Sequence, residues 1–203
     1  DFPPATLSGL ATFVYLFNRL GTATMPYDRV AERFAAASAT VSASIETGFH
    51  PQAPDHTDAY LVFTLTSLAE YFPTALDLFR QRLTETVFIE QTRIGELLRQ
   101  SWASTKKELL ENGGAYAAFR AAAGLSPMHD LTETWFGITA ARTSRRQALY
   151  FDAFAPQLTV SCELLAERLR SIRPAAAAIV GGSQVATRAG EFLERLAATP
   201  AKT

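Results

Sequence analysis

The chain has 203 residues, of which 48% are hydrophobic and 19% charged, a balance typical of a folded globular protein rather than of a disordered segment. A formal net charge of −1 gives no reason to expect nucleic acid or an anionic membrane as a partner. No apolar run approaches the roughly 20 residues that a membrane helix needs, and the single cysteine, Cys162, excludes an internal disulfide. We therefore expect a soluble protein, cytoplasmic or in an organelle matrix rather than secreted.

The first half of the chain begins with two helices. Apolar residues on nearly all sides predict a first helix over residues 7–20, and Gly21 is expected to end it in the left-handed conformation. Pro26 opens a second helix, to about Ala37. If neighbouring strands or domains are missing, the first helix should expose an apolar patch containing Phe13, Val14 and Phe17.

Two strands follow. Residues 40–47 alternate between apolar and polar side chains, and residues 58–68 are rich in β-branched and aromatic ones. Residues 48–57 contain two prolines and two histidines, and are predicted to be a long loop joining an antiparallel pair.

The second half is mainly helical. A long helix begins near Glu90 and is predicted to end where Gly113 and Gly114 adopt the left-handed cap conformation. A helix of small residues is predicted after the glycines, and Pro127 should prevent it from extending further. The remaining predictions are helices over residues 73–84, 115–124, 143–150, 156–171 and 184–196, a short apolar strand over 175–180, and a frayed tail over 196–203.

This order predicts an α+β fold with helices packed on one face of an antiparallel sheet. Residues 1–203 are interpreted as a single domain and as a fragment of a larger multidomain protein. The start Asp1-Phe2-Pro3-Pro4 has no initiating methionine and no signal sequence, and three strands are few for so many helices.

The three histidines do not predict a metal site. His50, Asp55, His56 and Asp58 could in principle bind a metal, but a solvated loop is the preferred interpretation, and His129 is remote in sequence. Neither H-x-x-E-H nor H-E-x-x-H occurs. We therefore predict no metal-binding and no cofactor-binding residue in this chain.

Catalytic residues are not predicted either. There is no G-x-S-x-G motif, and Cys162 in its apolar stretch is interpreted as a buried filler rather than a reactive thiol. Gly181-Gly182-Ser183 weakly resembles an anion-binding turn, although a simple turn is favoured. The remaining candidates are interpreted structurally: Trp102 and Trp135 as core anchors rather than a ligand platform, Lys106, Lys107, Glu108 and Glu111 as a surface face, and Arg142, Arg145 and Arg146 as a solvated helix face.

An ordered series of motifs nevertheless resembles a known family. It includes Leu16-Phe17-Asn18-Arg19-Leu20-Gly21-Thr22, the Thr47-Gly48 turn, residues 61–65 with 71–83, and Trp135-Phe136-Gly137-Ile138. The most specific stretch is residues 104–125, with Asn112-Gly113-Gly114 and an Ala-Ala-x-Arg run ending at Arg120. Over residues 7–196 the chain resembles the third, non-catalytic domain of presequence-protease-type zinc peptidases, in the insulinase/pitrilysin superfamily. Phe49 is a difference from the family, in which a second glycine is common at this position.

The resemblance implies a domain of a peptidase whose two halves close around a chamber and degrade unfolded peptides. In that family zinc is held by H-x-x-E-H in another domain, so no catalytic or zinc-binding residue carries over to this chain. The implied partners are other domains of the same parent chain and an unfolded peptide, and an exposed apolar surface would allow self-association.

Two alternatives remain open at this point. The first is a non-enzymatic structural or assembly subunit with the same fold, and the second is an unrelated alanine-rich helical binding module. An antiparallel sheet backed by helices would exclude the second.

Overall fold

The computed structural model describes residues 7–50, 52–171 and 174–198. Within them the chain forms an α+β fold in which helices pack against one two-stranded antiparallel sheet, as predicted. The strands are β1 (Ala39–His50) and β2 (Ala53–Ser67). The helices are α1 (Leu10–Phe17), α2 (Tyr27–Ala36), α3 (Phe72–Glu85), α4 (Gln91–Glu111), α5 (Gly113–Ala122), α6 (Pro127–Phe136), α7 (Ile138–Leu149), α8 (Phe151–Ser171) and α9 (Ser183–Ala198).

The chain divides into two compact units. The first comprises Asp1–Arg19, Ala43–Val62 and Phe88–Cys162, and the second comprises Leu20–Ser42, Phe63–Val87 and Glu163–Thr203. No helix among the described residues is both long and apolar enough to cross a bilayer.

In the first unit, α1 is packed into the core. The rings of Phe13 and Phe88 lie 5.1 Å apart, and Tyr15 donates a hydrogen bond to the Leu97 carbonyl in α4. Phe13 and Phe17 are 0% and 2% exposed, and Val14 is half-buried. The predicted apolar patch on this helix is therefore wrong, because α4 and the segment before it cover the face that sequence left unassigned.

In the second unit, α2 and α3 pack on the sheet. Val30 and Phe34 of α2 join Ala75 and Leu78 of α3 in one buried cluster. The strand residues Ala39, Val41 and Leu65 contact the same cluster. The apolar alternation of the strands and the 3.6-residue period of the helices thus meet in one core, which is the arrangement that the pattern predicted.

The predicted loop over residues 48–57 is wrong. β1 continues to His50 and β2 begins at Ala53, so only two residues separate the strands. Pro54 does not prevent this, since a proline is tolerated near the start of an edge strand. The extended conformation therefore persists through a stretch whose composition indicated a loop.

The predicted strand over residues 175–180 is also wrong. This stretch has no regular secondary structure and is exposed, with Val180 99% accessible. An apolar run forms a strand only when a neighbouring strand accepts its hydrogen bonds, and none of the described residues supplies one. Of the predicted frayed tail, residues 199–203 lie outside the described part of the chain, while α9 extends to Ala198.

The break after α4 also has a different conformation from the one predicted. The helix ends at Glu111, but Gly113 and Gly114 are the first residues of α5, and a Cβ on either would meet open space. The left-handed glycine in this region is Gly124, with φ of +86°. Pro127 begins α6, a helix that the sequence did not predict, and α7 begins at Ile138.

Candidate functional site

Three histidines are among the residues that could carry chemistry. His129 is in the first turn of α6, where the Ser126 hydroxyl, 2.8 Å from His129 Nδ1, also accepts a bond from its backbone N–H. Ser126 is therefore the N-cap residue of α6, and His129 contributes a backbone donor and a ring contact to that cap. Among the residues the structure describes, no three His, Cys, Asp or Glu side chains are grouped to hold a metal ion. The backbones of His50 and His56 lie in β1 and β2, and their side chains are outside the described part.

Several structural interpretations from the sequence are confirmed. Cys162 is a buried thiol in α8, and Trp135 is a core anchor whose indole N–H donates to the Leu7 carbonyl at 2.6 Å. Lys107 and Glu111 form an exposed pair at 3.8 Å, as expected of a solvated helix face. Trp102, also predicted to be a core anchor, is only half-buried.

Glu108 has one additional contact. Burial, assisted by the charge and the hydrogen bond of Glu108, raises the pKa of the Tyr116 hydroxyl. The hydrogen bond between Tyr116 and Glu108 links α5 to the last turns of α4.

The most highly organised polar group is a buried carboxylate, Glu133. It accepts hydrogen bonds from the backbone N–H groups of Ile138 and Thr139 and from the Thr139 hydroxyl, at 3.1–3.2 Å. Arg120 lies 3.7 Å away. A carboxylate suits this place because the first N–H groups of α7 have no partner within the helix and carry its positive dipole end. With Gly137, these residues form what we call the Glu133 cluster.

Gly137 is required by that geometry. It lies between α6 and α7, and a Cβ added to it would overlap the Glu133 carboxylate and approach the Glu133 carbonyl oxygen to 2.9 Å. Glycine alone lets the carboxylate pass over the backbone to reach the start of α7. This contact is the physical reason for the glycine in the Trp135-Phe136-Gly137-Ile138 motif.

A second cluster, in the second unit, stabilises the turn that follows α1 in the chain. Gly21, Thr22, Arg82 and Thr86 define this Thr22 cluster. The Thr22 N–H donates to the Met25 carbonyl at 2.8 Å, and Thr22 pairs with Thr86 in an isolated antiparallel bridge. The expected left-handed conformation of Gly21 is not found; its Cβ position is instead occupied by the backbone of the turn, 2.9 Å from Tyr27 N.

Arg82 is the buried cation of this cluster. Its side chain is 2% exposed and donates to the Leu20 carbonyl. Burial lowers the pKa of Arg82 to about 10, and the charge of Tyr27 acts in the opposite direction. Arg82 therefore stays charged at neutral pH and serves to bind backbone oxygen.

Asn18 forms a third contact, at the edge of the sheet. Its amide donates to the Ala43 carbonyl at 2.9 Å and accepts from the Ala43 N–H at 2.8 Å. In an antiparallel pair, both backbone groups of one residue point to the same side. The backbone groups of Ala43 therefore point away from β2, and the Asn18 side chain substitutes for one peptide unit of a third strand.

We expect Asn18→Ala to lower the free energy of unfolding by about 1–3 kcal/mol, because it leaves two buried backbone groups without these partners. The change should be accompanied by faster hydrogen exchange of the Ala43 amide. Asn112→Ala is the matched control, since Asn112 is exposed and makes no side-chain cap hydrogen bond at the start of α5. Equal effects of the two substitutions in urea denaturation would contradict this role.

The sequence did not predict what Asn18, Gly21 and Gly137 contact. Asn18, Gly21 and Gly137 were recognised within motifs, but their partners are 25, 4 and 4 residues away in the chain. One signal was available for Glu133: an acidic residue shortly before a glycine that opens a helix indicates an N-terminal cap. Glu133 and Arg82 bind main-chain groups, and Thr139 and Arg120 contact the Glu133 carboxylate. These polar groups are therefore engaged in structural contacts.

Comparison with known proteins places these motifs in a family. A family model described as peptidase M-16C associated matches residues 1–146. That stretch contains all three contacts around Asn18, Gly21 and Gly137. A search of curated proteins gave no match.

Proposed function

The chain belongs to the peptidase M-16C associated family, and from this premise we propose that it is a non-catalytic, chamber-forming domain of a zinc-dependent metalloendopeptidase that degrades unfolded peptides. The observation that carries the proposal is the family match over residues 1–146. The family associates the chain with peptidases of this class. The chamber, the zinc and the unfolded substrate are the further content of the proposal.

The use of the buried polar groups supports a structural role. Glu133 and Arg82 are the buried charges of the described residues, and both bind main-chain atoms at helix ends and turns. A catalytic acid or base must instead reach a substrate atom. In the proposed parent enzyme, zinc and the catalytic carboxylate belong to another domain, and this chain contributes a wall that contacts the other domains and the peptide.

A non-enzymatic structural or assembly subunit with the same fold is the second candidate. It is favoured by the same observation, that the described polar clusters only fasten the fold. The unrelated helical binding module is excluded by the antiparallel sheet and by the family match.

The natural gene product distinguishes the two candidates. We expect it to encode H-x-x-E-H outside this segment and to cleave an unstructured fluorogenic peptide, with loss of cleavage on chelation and recovery on adding zinc. A gene product that lacks the motif and cleaves no peptide would support the structural subunit and overturn the peptidase proposal.

A further inference from the structure

One face of α7 carries a concentration of positive charge. Arg142, Arg145 and Arg146 are all exposed, at the i, i+3 and i+4 positions that share one side of a helix. The helix sequence ITAARTSRRQAL contains no acidic residue. In a chain whose formal net charge is −1, this face is a local exception.

These arginines are not paired within the part of the chain that the structure describes. None of them takes part in its salt bridges. Of the acidic residues nearest in sequence, Glu133 binds the opposite end of α7, and Asp152 is in none of those pairs. Arg146 lies over the Phe154 ring at 5.4 Å, a contact that orients the guanidinium and leaves its N–H groups available.

Helix stability accounts for only part of this arrangement. A cation in the last turn interacts favourably with the helix dipole, and only Arg146 occupies that turn. Arg142 and Arg145 lie further from the C-terminus, where the dipole effect has fallen off.

Leu149 continues the same face, and Tyr150 is the residue that directly follows the helix. Leu149 follows Arg145 and Arg146 at i+4 and i+3 and is 55% exposed, and Tyr150 is 62% exposed. Arg and Tyr are among the residue types that contribute most to binding energy at protein interfaces.

We propose that this surface, the α7 arginine face (Arg142, Arg145, Arg146, Leu149 and Tyr150), binds an acidic polypeptide segment that also carries apolar side chains. Carboxylates of the partner would pair with the arginines through two parallel hydrogen bonds each, and its apolar groups would cover Leu149 and Tyr150. The inference concerns a surface that the proposed function does not assign, and it holds whether or not the parent is a peptidase.

The test uses fluorescence anisotropy with the full 203-residue chain and a labelled synthetic helical peptide with glutamates and leucines along one side. Two comparison peptides carry glutamine for glutamate or alanine for leucine. The face variant changes Arg142, Arg145 and Arg146 to Gln. The matched control changes Arg80, Arg168 and Arg188 to Gln, which alters net charge equally at exposed positions elsewhere.

At about 0.15 M salt, we expect the acidic peptide to bind and the face variant to weaken binding by about tenfold or more. The control variant should change it by less than about twofold, because exposed charges outside the contact contribute little. Leu149→Ala should weaken binding several-fold, and both comparison peptides should bind less well than the parent peptide.

Three results would overturn the proposal. The first is that the acidic peptide does not bind, and the second is that both triple variants weaken binding equally. The third is that phosphatidylserine vesicles or duplex RNA bind the α7 arginine face more tightly than the peptide does. Thermal melts of both triple variants confirm folding, and Leu149→Ala provides a second test that leaves every arginine in place.

Discussion

Gly137→Ala should lower the free energy of unfolding by roughly 3–5 kcal/mol, because the added methyl group displaces a buried charge. The added Cβ overlaps the Glu133 carboxylate, which is 3% exposed and bound to the first N–H groups of α7. The carboxylate can avoid the methyl only by leaving these donors. The substitution therefore adds a steric clash and also leaves a buried charge and a helix terminus without their partners.

Urea denaturation followed by circular dichroism measures the effect, and Gly114→Ala is the matched control. Gly114 is in α5 with open space at its Cβ position, so alanine there should be neutral or stabilising by up to about 1 kcal/mol. A double-mutant cycle tests the mechanism. In a Glu133→Ala background the Gly137→Ala change should cost clearly less than in the wild type, because only the approach to the carbonyl oxygen of residue 133 remains. Additive effects of the two substitutions would contradict the steric explanation.

Gly21→Ala should cost roughly 3 kcal/mol, the upper part of the range for overpacking. Its Cβ would approach main-chain atoms of residues 25–27, including Tyr27 N at 2.9 Å. A main-chain atom cannot rotate away as a side chain can. Relief therefore requires moving the turn that donates from Ala23 to the Glu85 carbonyl at 2.8 Å.

The control for Gly21 is Gly190→Ala in α9. Gly190 has open space at its Cβ position, and alanine in a helix interior should stabilise by about 1 kcal/mol. Amide exchange of Ala23 should accelerate in Gly21→Ala and remain unchanged in Gly190→Ala. A Gly21→Ala protein as stable as wild type would mean that the turn is free to shift, and the close approach would then not explain the Gly-Thr motif.

These glycines show where sequence reasoning succeeds and where it fails. Hydrophobic periodicity predicted α4 and the helices on either side of the strands, because an amphipathic pattern is local information. The reason for a glycine lies in a close contact that periodicity does not describe, even where the approaching group is only four residues away. At Gly21 and Gly137 it is the approach of another group, whereas Gly113 and Gly114, in the most specific family motif, are required neither by packing nor by a positive φ.

The errors over the strands have the same origin. Residues 175–180 have an apolar composition compatible with a strand, but that composition cannot supply a neighbour to pair with. Residues 48–57 have prolines and histidines that indicate a loop, yet β1 and β2 extend each other by pairing nearly to their link. Asn18 is the clearest case, since its partner Ala43 is 25 residues away and no local pattern connects them.

Zinc content together with peptide hydrolysis, measured on the purified 203-residue chain alone, tests the account most directly. A chain that contributes a chamber wall should retain far less than one zinc per molecule after mild dialysis and should leave an unstructured fluorogenic peptide intact, with or without added zinc. Retention of about one zinc per chain, or chelator-sensitive cleavage of the peptide by the chain alone, would contradict the claim that its residues build the enzyme without carrying its chemistry.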